Sequence, residues 1–187
     1  MLCADWVHTG LLINLCTHSA AVQHSVTRLG GTRLVLRVLH NYTNNYSLQA
    51  KACWALSNLV CNRNSENQII LLRQNALVCV LDTLREHSAI ASVAVRVVAF
   101  FAHMVEGCAE AASAIVPLSV LPAAFESCAT HAGVAAIMQH GCALLANVVD
   151  NGGRLLVARP SSLQLIRDTL NRHVEDPAAA AQVQSQL

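Results

Sequence analysis

Aromatic side chains are scarce in this chain, with three Phe, two Tyr and two Trp among 187 residues. Charge is scarce as well, at 12% of residues, and the two signs nearly cancel to a net +1. So neutral a total gives no overall electrostatic reason to bind nucleic acid or an anionic membrane. No Gly-x-Ser-x-Gly elbow, phosphate loop or dinucleotide fingerprint occurs, which removes the commonest signatures of hydrolases and nucleotide enzymes. The glycine pairs in Gly30-Gly31-Thr32-Arg33 and Asn151-Gly152-Gly153-Arg154 sit at segment boundaries and read as turns. Glu106, Glu110 and Glu126 lie on segments of different phase, so no carboxylate pair is set up for acid–base chemistry. No enzyme activity and no catalytic residue is expected.

Cys-x-x-Cys is missing too. Cys16-x-His18, Cys128-x-x-His131 and His140-x-Cys142 are single pairs, whereas structural zinc needs four ligands at short regular spacings. No metal and no cofactor is expected. Met1–Gly10 contains Asp5 and lacks a basic start followed by an apolar block, so no secretory signal is read. The best candidate span, Ala89–Val105, carries Arg96 and His103 and is at the short end for a bilayer, so it reads as a buried helix without membrane insertion.

What the chain does have is apolar bulk, at 54%, most of it Ala, Leu and Val. These residues suit helices packed at close range. Most of the eight cysteines fall inside apolar periodic segments, where a free thiol behaves as a small hydrophobe. That usage indicates a reducing, cytoplasmic compartment, with the nucleus and the cytoskeleton as alternative settings.

One segment returns every 44 or 45 residues. Its copies are Leu11-Leu12-Ile13-Asn14-Leu15, Ala52-Cys53-Trp54-Ala55-Leu56-Ser57-Asn58-Leu59, Ala99-Phe100-Phe101-Ala102-His103-Met104 and Ala143-Leu144-Leu145-Ala146-Asn147-Val148. Asn14, Asn58, His103 and Asn147 keep the register. A period of this size predicts an all-α, right-handed α-α superhelix with three helices per repeat. The first helices are expected over Ser19–Leu29, Ser65–Gln74, Gly107–Ile115 and Gly152–Ala158. The second are expected over Thr32–Asn41, Ala76–His87, Val120–Thr130 and Ser162–His173. The third are expected over Ser47–Cys61, Ala91–Val105 and Gly133–Val149, with a partial one over Asp5–Cys16 and a further start at Pro177–Leu187. Gly30-Gly31, Pro117 and Pro160 fall between first and second helices, where breakers belong.

The whole chain, residues 1–187, is thus one solenoid. It has a partial repeat at 1–18, full repeats at 19–62, 63–106 and 107–150, and a C-terminal partial repeat at 151–187. Met1–Leu15 is largely apolar and starts inside a third helix, so the exposed solenoid ends are expected to meet a second copy or a longer parent chain.

The third helices share a phase. With Lys51, Arg96 and His140 as position zero, positions two, five, eight and nine read Cys53, Leu56, Leu59, Val60, then Val98, Phe101, Met104, Val105, then Cys142, Leu145, Val148, Val149. At 100° per residue these form one apolar face, expected in the core. Positions zero, three and seven face away from it, as Lys51, Trp54, Asn58, then Arg96, Ala99, His103, then His140, Ala143, Asn147.

The stretch Ala52–Leu59, with this three-helix period, resembles the armadillo repeat family, and importin-α and β-catenin in particular. The resemblance implies that third helices line a concave groove holding an extended peptide. By that likeness, the peptide-binding residues are Asn14, Lys51, Trp54, Asn58, Arg96, His103, His140 and Asn147. Trp54 and Asn58 match the Trp–Asn pair of importin-α; Gly10, Ala99 and Ala143 stand where further Trp would be, and His103 replaces Asn. Lys51 and Arg96 disfavour a basic ligand, so the groove is more similar to that of β-catenin, which receives acidic segments. The expected function is a non-enzymatic adaptor or scaffold binding an extended segment of a partner protein, acidic or polar in character. The alternatives are a structural subunit of a cytoskeletal or axonemal assembly and a transport adaptor like importin-α. An Asn amide can pair with a peptide unit, or it can simply bond a neighbouring helix; both readings stay open at this point.

Overall fold

The computed structural model describes residues 2–17 and 19–153 together with Gln164 and Arg167, with side chains from Thr9 onward. Of the helix expected over 152–158 only Gly152 and Gly153 are described, and Gly152 is left-handed (φ 91°); of that over 162–173 only Gln164 and Arg167 are described, both helical; that over 177–187 lies outside the described residues, as do His18 and Pro160. Among the described residues the regular structure is entirely helical. The helices are α1 (Leu2–Cys16), α2 (Ala20–Arg28), α3 (Gly31–Asn41), α4 (Tyr46–Val60), α5 (Ser65–Arg73), α6 (Ala76–Glu86), α7 (Ala91–Val105), α8 (Ala109–Ala114), α9 (Val120–Thr130) and α10 (Ala135–Val148), followed by a π-helical turn at Val149–Gly153.

Local chemistry explains these boundaries. Ser19, Asn45 and Asn64 each accept a hydrogen bond from an amide three residues on, which starts α2, α4 and α5. The residue before each second helix is left-handed: Gly30, Asn75 and Ser119 have φ of 85°, 56° and 59°. Asn62, Gly107 and Gly152, spaced 45 apart after each third helix, have φ of 61°, 68° and 91°. A backbone conformation that most residues avoid thus recurs with the period, filled by Gly or Asn at five of these six positions and by Ser119 at the sixth. Gly107 is also why α8 starts later than the sequence suggests, at Ala109.

The helices pack in three sequences of neighbours. α4 lies against α1 and α7, and α7 against α10; α6 lies between α3 and α9; α5 lies between α2 and α8. Seven polar contacts join residues 43 to 46 positions apart, among them His87 Nε2–H to Thr43 O (2.6 Å) and His131 Nε2–H to Ser88 O (2.8 Å). Two of these contacts recur at matching places, Asn58 to Ile13 O with Asn147 to Ala102 O, and His87 to Thr43 O with His131 to Ser88 O.

The core follows the third helices. Cys53, Leu56, Leu59 and Val60 on α4 are fully buried, as are Val98, Phe101, Met104 and Val105 on α7. Phe100 and Phe101 meet edge to face, with centroids 5.6 Å apart. The same face does not hold on α10. Cys142 is exposed and Leu145 and Val149 are half-buried, while Gly141, Leu144 and Val148 are buried. α10 packs against α7 and α9 and buries positions one, four and eight, whereas α4 and α7 bury positions one, two, four, five and eight.

The end of α7 carries a second feature. The last carbonyls of a helix have no partner within it. Here Gln68 Nε2 donates to His103 O (2.8 Å) and Glu106 O (3.0 Å), Asn147 Nδ2 to Ala102 O (3.0 Å) and Asn151 Nδ2 to Val105 O (3.0 Å). Donors from α5 on one side and from α10 and the turn after it on the other thus close this helix. Asn67 Nδ2 does the same for Leu59 O on α4 (2.7 Å), and Gln23 Nε2 for Cys16 O on α1 (2.9 Å).

Candidate functional site

The face of the third helices that points away from the buried positions carries the expected binding residues, and it brings several of them together. Trp54 on α4 is partly exposed, at 36%. The Arg96 guanidinium on α7 lies over its ring, with Cζ 3.8 Å from the centroid. Such a contact contributes about 0.5–2 kcal/mol and fixes both side chains. One step further along, the His103 and His140 rings meet edge-on, 6.3 Å between centroids. His103 Nδ1 also shares a hydrogen bond of 2.9 Å with Ser57 Oγ on α4. Among the described residues, no carboxylate lies within ion-pair distance of Arg96.

Burial sets the electrostatics of this cluster. It lowers the pKa of Arg96 from its ordinary value. It also lowers His103, an effect opposed by Glu106 just beyond α7 and by the bond to Ser57. His140 is lowered first by burial and then by His103 and Arg96. The result is a cationic patch holding two half-buried imidazoles whose protonation an arriving anion would favour.

The asparagines behave differently from one another. Asn58 Nδ2 donates both of its hydrogens, to Ile13 O (3.0 Å) and Thr17 Oγ1 (3.2 Å) on the side of α1. Only its Oδ1 is left to meet a guest. Asn147 Nδ2 donates once, to Ala102 O, so it keeps one hydrogen as well as its oxygen. Asn14 on α1 is exposed, and Lys51 is half-buried. Ala99 is buried at 5%, so position three lines the face on α4 and is closed off on α7.

Ser57, Asn151 and Gln68 belong to this neighbourhood and were not among the expected residues. Ser57 precedes the register residue Asn58, and its partner His103 stands one period later, which was a readable signal. Gln68 lies 45 residues after Gln23, and both are fully buried amides.

Elsewhere, a cavity of about 160 Å³ lies between α3 and α6, lined by His40, Gln49, Asp82, Thr83 and Glu86 among others. Thr83 Oγ1 donates to Gln49 Oε1 (2.8 Å), and Gln49 Nε2 to Leu39 O and Tyr42 O, so its inner polar groups are engaged. Among the described residues no cluster of three or more His, Cys, Asp or Glu could hold a metal. Nor is any described helix long and apolar enough to cross a membrane. No family model, no characterised protein and no solved structure matches the chain.

Proposed function

We propose that the chain is an armadillo-type solenoid that acts as a non-enzymatic adaptor, holding an extended acidic segment of a partner protein along its third-helix face. Support for the solenoid comes from the contacts spaced 43 to 46 residues apart and from the neighbour sequence α1, α4, α7, α10. The observation that carries the function is Arg96 over Trp54. The indole face that could receive a ligand cation is covered by the chain's own guanidinium, which has no carboxylate partner among the described residues. A basic guest meets repulsion there, and an acidic one finds an unpaired cation already held in place.

Packed helices lie roughly 8–10 Å apart and an extended chain rises about 3.3 Å per residue. Each rung therefore meets the guest about every third residue. Asn147 can both donate to and accept from its backbone, whereas Asn58 can only accept. Binding of fluorescent peptides of about a dozen residues tests the reading. Asp/Glu-rich peptides should bind, Lys/Arg-rich peptides should not, and Arg96→Glu should weaken the acidic ligand about tenfold or more. Equal affinity for both peptides, or an Arg96→Glu variant that folds and binds like the parent, would overturn it.

A second reading, a structural subunit that docks folded neighbours, draws on Asn58 and Asn147. Both bond the preceding third helix, an architectural job that needs no ligand. Under that reading Asn147→Ala lowers stability and leaves peptide affinity where it was.

A further inference from the structure

The small net charge hides an uneven distribution. Between Asp5 and Glu66 the chain has no Asp or Glu, yet it carries Arg28, Arg33, Arg37, Lys51 and Arg63. Residues 107–150 are the reverse, with Glu110, Glu126 and Asp150 and neither Lys nor Arg. Arg63 pairs with Glu106, and Lys51 lies on the third-helix face. The other three arginines gather around the turn from α2 to α3, and all three are exposed with no carboxylate partner among the described residues.

This corner also holds the most exposed large apolar side chain of the described residues. Leu29, which ends α2, is 86% accessible, and Leu34 in the first turn of α3 is 47% accessible. Gly30 is left-handed (φ 85°), and Leu34 N–H bonds Gly30 O, so the turn that carries Leu29 is locally fixed. Arg33 and Arg37, four residues apart, share one face of α3. Since α5 packs beside α2, the exposed Arg73 in the last turn of α5 extends the positive surface. Its limit is at the other end of α3, where Asp82 and Glu86 line the same cavity as His40.

We infer that the α2–α3 corner is a peripheral docking site for an anionic lipid surface, separate from the third-helix face and independent of the function proposed for it. Guanidinium groups pair with lipid phosphate and serine headgroups, and a fixed leucine among them can enter the interfacial layer, where an apolar side chain leaves water. A protein partner would have to supply both an apolar pocket for Leu29 and several acids around it. A charged bilayer surface supplies both from its own structure. The site is sized for weak, salt-sensitive attachment, because a few cations and one leucine fall short of a stable anchor.

Sedimentation with vesicles tests this. The full chain should sediment with phosphatidylcholine vesicles containing roughly one-third phosphatidylserine, should not do so with phosphatidylcholine alone, and should be released by high salt. Arg33→Glu/Arg37→Glu should lower the bound fraction about tenfold or more, and Leu29→Ser should lower it severalfold, both with an unchanged circular dichroism spectrum. Poly-glutamate, tested in an Arg96→Glu background so that the third-helix face does not contribute, serves as the protein-like competitor, and single-stranded RNA as the nucleic-acid one. Failure to sediment with the anionic vesicles, equal sedimentation with both vesicle types, or loss of RNA or poly-glutamate binding in the arginine variant without loss of vesicle binding would each overturn the inference. Acidic-peptide binding through Arg96 should persist in these variants, which keeps the two surfaces distinguishable.

Discussion

Gln68 offers the sharpest test of how the end of α7 is closed. Its side chain is fully buried, and its amide nitrogen donates to His103 O and Glu106 O at the end of α7. Replacement by Met keeps the length and apolar stem and removes both bonds. A stranded buried carbonyl costs about 1–3 kcal/mol. His103 O keeps the Glu106 N–H at 3.4 Å, and the side chain's own Oε1 is buried without a partner, so its removal offsets part of the loss and the net expectation is about 1 kcal/mol. For a chain of this size each kcal/mol lowers Tm by about 2–4 °C. Urea unfolding followed by circular dichroism should show a lower midpoint with an unchanged slope, the mark of altered stability alone. The exposed Glu110→Gln serves as control and should fall within about 0.5 kcal/mol of the parent. A Gln68→Met variant inside that same margin would refute the view that side-chain amides close α7.

The histidine pair gives a prediction with a definite sign. His103 and His140 are held below the ordinary value of 6.5, chiefly by burial. The unfolded chain therefore binds more protons than the folded one as pH drops from above 6.5 toward the lowered values, and stability falls over that window. Denaturation midpoints measured across it should decline, and His140→Asn should flatten the decline; a midpoint that rises with acid would contradict the assignment. An acidic peptide should show the opposite trend, binding more tightly as the pair takes up protons, which calorimetry in buffers of different ionisation enthalpy would register. Gly31→Ala should destabilise by about 1–3 kcal/mol, since a Cβ there would lie 2.5 Å from Val26 Cγ1 and 2.9 Å from the Val26 carbonyl oxygen. A thermal melt matching the parent would count against that close approach. In alkylation followed by mass spectrometry, exposed Cys142 should react well before Cys16, pushed up to about 11, and Cys128, pushed up to about 12; early modification of Cys128 would be inconsistent with its burial.

The helix positions were legible because the apolar period and the breakers agree. Asn45 and Asn64 start helices in the expected places, and Pro117 sits in the turn before α9. The face of α10 was not legible. α4 and α7 bury positions one, two, four and five alike, whereas α10 buries only one and four of these, and nothing within Cys142 or Leu145 reports that difference. At the site, Trp54 and Arg96 each stood out through helical phase. Their stacking did not, because it depends on the offset between two helices from neighbouring units. The asparagine amides gave equal support to a ligand and to a helix partner, since the same Nδ2–H serves either. Gln68 repeats Gln23 at the 45-residue spacing, but Ala112 and Ser113 stand one period later, so the amide does not recur through the chain.

Donors reach the final turn of α7 from Gln68 on one side and from Asn147 and Asn151 on the other. Fraying of either flank would strip this turn of partners and raise the energy of the opened form. Local melting is thereby coupled across the middle of the molecule, and the amides of α7 should exchange with deuterium only through the most global openings.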